Sequence, residues 1–103
     1  MDIREDILKS AKKKLFFTIH ALDEMNKENE MITSDEVKNV ILNGEIIENY
    51  PEDKRGHSCL MLGFPDKRPI HVVCAPKKDY LAVITVYVPN PDNWKNNFKT
   101  RKK

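Results

Sequence analysis

Glycine is scarce in this chain, at three residues in 103, and cysteine is scarcer, at two. Gly44, Gly56 and Gly63 stand too far apart to build a phosphate-cradling loop, and no G-x-S-x-G turn occurs. Two cysteines, with no export signal ahead of them, exclude a disulfide-stapled scaffold and fit a reducing cytoplasm, the expected location. No apolar run approaches the roughly 18 residues that a membrane helix needs, so no membrane partner is expected. Internal repeats and low-complexity tracts are missing too. What is there is a 40% hydrophobic share, with four Phe, three Tyr and one Trp, enough for one folded core. The reading is a single domain over 1–103.

Charge is nearly balanced, at +2, but unevenly spread. Residues 1–50 hold seven basic groups against eleven acidic ones, and residues 51–103 hold eleven against five. The extreme is "KNNFKTRKK" (95–103), five basic groups and no acid, which suits phosphates or an acidic partner. A solvated, frayed end is the plain alternative.

Helical spacing comes first along the chain. "DIREDILKSAKKK" (2–14) places Ile3, Ile7, Leu8 and Ala11 on one face, acids early and lysines late, as the helix dipole favours. "FFT" (16–18) reads as a short extended link, and Thr18 as the cap of a second helix running to about Asn29, with His20 one turn from Glu24. "TSDE" (33–36) fits a capping box for a third helix, ended at "NG" (43–44) by a glycine able to take positive φ. From Glu45 the pattern turns to strands: "EIIENY" (45–50), "HSCLMLGF" (57–64), "PIHVVCA" (69–75) and "YLAVITVYV" (80–88). Connections this short leave no room for crossover helices, so an antiparallel meander is expected. The predicted fold is α+β: a helical part, 2–43, packed on a three- to four-stranded antiparallel sheet, 45–88, followed by the basic tail, 95–103. Tight turns at "PDKR" and "PKKD" would set Cys59 opposite Cys74 and His71 opposite Ile84, leaving His71 and Tyr87 on opposite faces.

Three chemistries fit the reactive residues. His57, Cys59, His71 and Cys74 could make a zinc set, but His71 faces away from both cysteines on that register, so no metal is expected. Neither cysteine opens a helix, which argues against a thiolate nucleophile. Acid–base cleavage of a phosphodiester needs a group to take the 2′-hydroxyl proton, one to protonate the leaving oxygen, and cations for the phosphorane. His20, Arg55, His57, His71, Tyr87 and the basic tail can supply these without metal or cofactor. Each also has a structural reading, and for His71 a satisfied sheet histidine stays open beside catalysis.

The phrases "FTIHALDEM" (17–25), "MITSDEVKNVILNGEIIENYPEDKRGHSCLMLG" (31–63), "RPIHVVCA" (68–75) and "ITVYVPNPDNWKNNFKTRK" (84–102) together resemble the DUF4258-type domains. The chain departs from that pattern at "MNKENEMIT" (25–33), where the family carries an arginine shortly before I-T. The resemblance implies a fold similar to the RelE, barnase and colicin nuclease superfamily. It also implies a toxin-like ribonuclease that cuts messenger RNA, on or off the ribosome, held silent by a small antitoxin of the zinc-finger kind that neutralises the MqsR class. It maps the family's motif positions onto His20, Arg55, His71, Thr85 with Tyr87, and Arg101. In that scheme His20 is the acid–base group, Arg55 steadies the phosphate and Tyr87 assists proton transfer. Lys95, Lys99 and Arg101 would grip the RNA backbone, and Trp94 would either stack a base or anchor the tail to the core. The alternative is a non-catalytic module that binds RNA or a protein through the basic C-terminal surface.

Overall fold

Helix α1 (Ile3–Lys13) buries Ile3, Ile7 and Ser10, and its ends carry Glu5 and Asp6 first and Lys12 and Lys13 last, the charge order that the helix dipole stabilises. The computed structural model describes residues 3–102; Asp2 and Lys103, at the ends of the expected helix and tail, lie outside the described residues. The expected link at 16–18 is a true strand, β1 (Leu15–Phe17). Thr18 then caps α2 (Ile19–Met25), which stops four residues short of Asn29. The Thr18 hydroxyl accepts from Ala21 N at 3.0 Å and donates to Ile84 O at 2.8 Å, so one side chain fixes both the helix and its seat on the sheet. Helix α3 (Ser34–Asn43) has the expected capping box between Thr33 and Glu36.

Strands β2 (Glu45–Tyr50), β3 (Ser58–Gly63), β4 (Ile70–Pro76) and β5 (Leu81–Tyr87) form the meander that the apolar runs predicted. The sheet has five strands rather than three or four, in the order β1-β5-β4-β3-β2, and it is mixed rather than antiparallel throughout. β1 lies parallel to β5, pairing Phe16 with Ala82 and Phe17 with Val83. The basic tail is no frayed end. It turns back as a hairpin of β6 (Trp94–Lys95) and β7 (Thr100–Arg101).

One sheet face carries the helices. Ile7, Val37, Val40, Ile41, Cys59, Met61, Val72, Cys74, Val83 and Val86 meet there in the main core. Cys59 lies opposite Cys74, as the sequence register requires, and both thiols are free and fully buried. A thiol reagent is therefore expected to titrate neither cysteine in the native protein and both in denaturant. Labelling of either one in the native state would contradict this packing.

Gly44 corrects an expectation. Its φ is −81° and ψ 179°, ordinary extended backbone, so left-handed geometry is not why glycine stands there. A Cβ at this position would lie 2.5 Å from both Leu62 O and Val40 O, where α3 turns into β2 against β3. Gly44→Ala is expected to destabilise by about 1–3 kcal/mol through overpacking, read as a lower melting temperature.

The hairpin β4–β5 departs from the predicted register in two ways. Its turn is longer, with Pro76 paired to Leu81 and Lys77 N bonded to Tyr80 O at 2.9 Å. A bulge then shifts the register between Val73↔Thr85 and Cys74↔Val83, so that Ile84 is the extra residue. The longer turn preserves which side chains share a face; a one-residue bulge exchanges them. His71 consequently pairs with Tyr87, not Ile84, and the two share the face away from the helices.

Candidate active site on the sheet face opposite the helices

His71 sits in the middle strand, fully buried, on the face that the C-terminal hairpin covers. Its Nε2 meets Phe98 O at 2.9 Å and its Nδ1 meets the Tyr87 hydroxyl at 3.1 Å. A carbonyl can only accept, so Nε2 carries the proton, and the neutral ring accepts at Nδ1 from Tyr87. Trp94 packs edge-on to the imidazole, with centroids 4.4 Å apart, and Tyr87 packs edge-on at 5.2 Å. Burial pushes the His71 pKa down; the Phe98 carbonyl and the Glu48 charge oppose this without cancelling it. Burial likewise raises the Tyr87 phenol.

A second group adjoins the first. Arg101 lies 4.7 Å over the Trp94 ring and forks onto Glu48, at 2.8 and 3.0 Å. The Tyr50 hydroxyl donates to the same carboxylate. Burial pushes the Glu48 carboxyl up, yet the hydrogen bonds from Arg101 and Tyr50 together outweigh it, so Glu48 stays below the usual carboxylate range. Burial and Glu48 push the Tyr50 phenol up to about 12, and the Glu48 hydrogen bond raises Arg101 further. The result is a carboxylate, a guanidinium, an imidazole and two phenols on one sheet face, linked by hydrogen bonds and by Trp94.

The hairpin tip is strained where it meets His71. Asn96, Asn97 and Phe98 have φ of 55°, 61° and 70°. Asparagine adopts left-handed backbone readily, but a bulky aromatic does so only when its surroundings impose it. Phe98 is the residue whose carbonyl caps the imidazole.

Of the residues singled out from sequence, His71, Tyr87, Trp94 and Arg101 are brought together here. Trp94 is 6% exposed, so it anchors the hairpin, and its face is occupied by Arg101 rather than open to a base. Lys99 pairs with Glu45 at 3.0 Å, and Lys95 is exposed. His20 is exposed on α2, and among the described residues no hydrogen bond or ion pair joins it to the cluster or to Glu24, which pairs instead with Lys27. Arg55 lies in the β2–β3 loop, forked onto Asp53, which also accepts from the buried Ser58. Lys77, at the end of β4 remote from His71, donates to the Arg55 carbonyl, so Arg55 belongs to the opposite end of the sheet. Sequence reasoning passed over Glu48 and Tyr50. Their signal was the i, i+2 spacing in "EIIENY", which sets both on one strand face.

Among the described residues no three His, Cys, Asp or Glu side chains gather into a metal-binding group, and no helix is long and apolar enough to cross a membrane. His71 and the two cysteines lie on opposite sheet faces.

Stability should fall with acid in two stages. His71 has a folded pKa below its unfolded value near 6.5, so the unfolded chain takes up the proton first and stability declines as pH falls below about 6.5. Glu48 also has a depressed pKa, so its contribution is present above about 4.5 and is lost as pH falls further. In a melting series, His71→Gln is expected to remove the first decline and leave the second. A wild-type curve flat from pH 7 to 5 would contradict the burial of a neutral imidazole.

No curated protein and no solved structure matches the chain. A family model does, over residues 17–88, from the β1 end through the whole meander that carries His71, Tyr87, Glu48 and Tyr50. The chain belongs to the DUF4258 family, a domain of unknown function.

Proposed function

We propose that this chain is a metal-independent endoribonuclease of the RelE-like kind, cutting messenger RNA by acid–base catalysis on the sheet face and silenced in the cell by a small antitoxin. The observation that carries the reading is the Tyr87–His71–Phe98 series: a half-buried hydroxyl donating to an imidazole whose tautomer is fixed from behind by a carbonyl. Such a series activates a hydroxyl toward proton transfer, by the same logic that orients a base in other acid–base sites. Substrate need only reach Tyr87, so the burial of His71 is compatible with catalysis.

In this scheme the 2′-oxygen attacks the adjacent phosphorus while its proton passes to the Tyr87 oxygen, whose own proton moves to His71 Nδ1. The imidazolium formed is held by Phe98 O and faces the charge of Glu48. Arg101, already beside Glu48, turns its guanidinium to the phosphorane, whose charge grows in the transition state. The P–O5′ bond breaks and the leaving oxygen takes a proton from water; the imidazolium proton, returned through Tyr87, neutralises the hydroxide left behind, and a 2′,3′-cyclic phosphate remains. His20 and Arg55 hold no position in this scheme.

A second reading has one observation in its favour. Both ring nitrogens of His71 are satisfied by the protein itself, which equally suits a buried pin that fastens the hairpin of a non-catalytic binding module.

The two readings separate in a translating cell extract supplied with purified protein. Wild type is expected to give discrete messenger-RNA cuts, and Tyr87→Phe, which keeps the ring and removes only the hydroxyl, to lower their rate by about 10²-fold or more. Intact RNA with wild type would favour the binding module, whereas equal cutting by Tyr87→Phe would remove the Tyr87 hydroxyl from the mechanism.

A further inference from the structure

Two of the five basic groups in the tract that the sequence displays most openly are paired in the fold: Arg101 is held by Glu48 and Lys99 by Glu45. Uncompensated positive charge gathers elsewhere. A surface hollow of about 320 Å³ lies where the last turns of α1 meet the β4–β5 turn, and Lys9, Lys13, Lys77 and Lys78 line it with Ser10 and Asp6. None of these four lysines is in an ion pair with a carboxylate among the described residues. Lys13 Nζ donates to Lys78 O at 3.0 Å, Lys77 Nζ donates to Arg55 O, and Ser10 Oγ donates to Lys77 O at 2.9 Å. Backbone carbonyls thus hold two of the ammonium groups in place, and only one carboxylate, Asp6, shares the hollow.

Favourable placement at a helix C-terminus accounts for Lys13. It does not account for Lys9, one turn before Lys13, nor for Lys77 and Lys78, which belong to a turn between strands. Gathering four cations around one carboxylate costs repulsion that the single charge of Asp6 offsets only in part. A polyanion removes that cost.

We infer that this hollow binds the phosphate backbone of single-stranded RNA. The identity of the ligand rests on the RNA-cleaving reading above; the charge arrangement does not. Lys77 lies six residues along β4 from His71, about 20 Å at ~3.3 Å per residue. A single RNA strand engaged at both places passes round the end of the sheet, from the side that carries α1 to the face that carries Tyr87. The hollow is therefore a guiding site at one end of the sheet, separate from the Tyr87 hydroxyl.

The test is binding of a fluorescein-labelled 15-nucleotide RNA to the full chain, followed by anisotropy across a salt series. Lys9→Gln/Lys13→Gln/Lys77→Gln/Lys78→Gln is compared with Lys95→Gln/Lys102→Gln, which alters the tail instead. Because Lys13 and Lys77 hold backbone carbonyls, Lys9→Gln/Lys78→Gln serves as a second variant that leaves those bonds intact. The fourfold variant is expected to weaken binding at least tenfold at ~0.1 M salt and to flatten the log–log salt slope by about 3, at ~0.7 per phosphate contact. The double variant should flatten it by about half as much, and the tail variant should bind nearly as wild type. Unchanged affinity and slope in both hollow variants, or binding lost only in the tail variant, would overturn the inference; so would a wild type that fails to bind at low salt. Cleavage measured alongside keeps the two readings apart. Binding through the hollow without any cutting would sink the nuclease reading and leave this site, whereas cutting with hollow variants that bind normally would sink this site alone.

Discussion

Replacing Trp94 by alanine is expected to detach the C-terminal hairpin, lower the melting temperature by on the order of 10–20 °C and return His71 to ordinary titration. The indole is 6% exposed and lies between two partners, the His71 imidazole at 4.4 Å and the Arg101 guanidinium at 4.7 Å. Truncating a buried tryptophan costs about 3–5 kcal/mol where the surroundings cannot close over the gap. Here the lower end, about 3 kcal/mol, is expected, since β6 and β7 have two residues each and their hairpin can lift away. A loss of that size in a chain of 103 residues gives the melting shift stated. Lifting the hairpin also removes Phe98 O from Nε2 and lets water reach the ring, so the burial that lowers the His71 pKa disappears. Proton NMR titration of the imidazole reads this directly. A variant that melts as wild type, with His71 still titrating low, would show that the hairpin is held by something other than Trp94.

The second large effect is on chemistry. His71→Gln keeps an amide N–H that can reach Phe98 O but has nothing to accept the Tyr87 proton at the Nδ1 position. Loss of a positioned general base costs typically about 10²–10⁴-fold in rate. Cleavage by His71→Gln is expected to fall within that range while RNA affinity, carried by cationic groups elsewhere, changes less than about twofold. The fold should survive, because the side chain still fills the site and satisfies the carbonyl. Circular dichroism and a melt confirm that before rates are compared. Cutting at the wild-type rate by a folded His71→Gln protein would remove the imidazole from the mechanism.

Much of the architecture was legible in local pattern. The capping box at Thr33, the dipole-ordered charges of α1, the strand "EIIENY" and the opposition of Cys59 to Cys74 all follow from neighbours within a few residues. What escaped was non-local. Leu15–Phe17 is too short to announce itself as a strand, and its partner in β5 lies more than sixty residues away. The site was misread for a different reason. Its faces depended on a single extra residue, Ile84, whose bulge is held by the Thr18 hydroxyl on its carbonyl, a contact from the far side of the chain. Without the bulge, His71 and Tyr87 sit back to back; with it, they share a hydrogen bond. The tail misled in the opposite sense. "KNNFKTRKK" reads as free positive charge because nothing nearby in sequence is acidic, yet Glu45 and Glu48 meet it across the sheet face. His20 and Arg55, both exposed, stood out in the sequence as reactive types, and the fold links neither of them to the cluster.

In the proposed mechanism, hydroxyl, imidazole and guanidinium on one sheet face suffice to cleave RNA. The measurement that tests it most directly is analysis of product termini after purified wild-type protein is incubated with RNA, on ribosomes and off them, with excess EDTA added to the free-RNA arm. The expected products carry 2′,3′-cyclic phosphate and 5′-hydroxyl ends in at least one arm, all lost with Tyr87→Phe. Products bearing 5′-phosphate and 3′-hydroxyl ends, or RNA left intact in both arms, would contradict it.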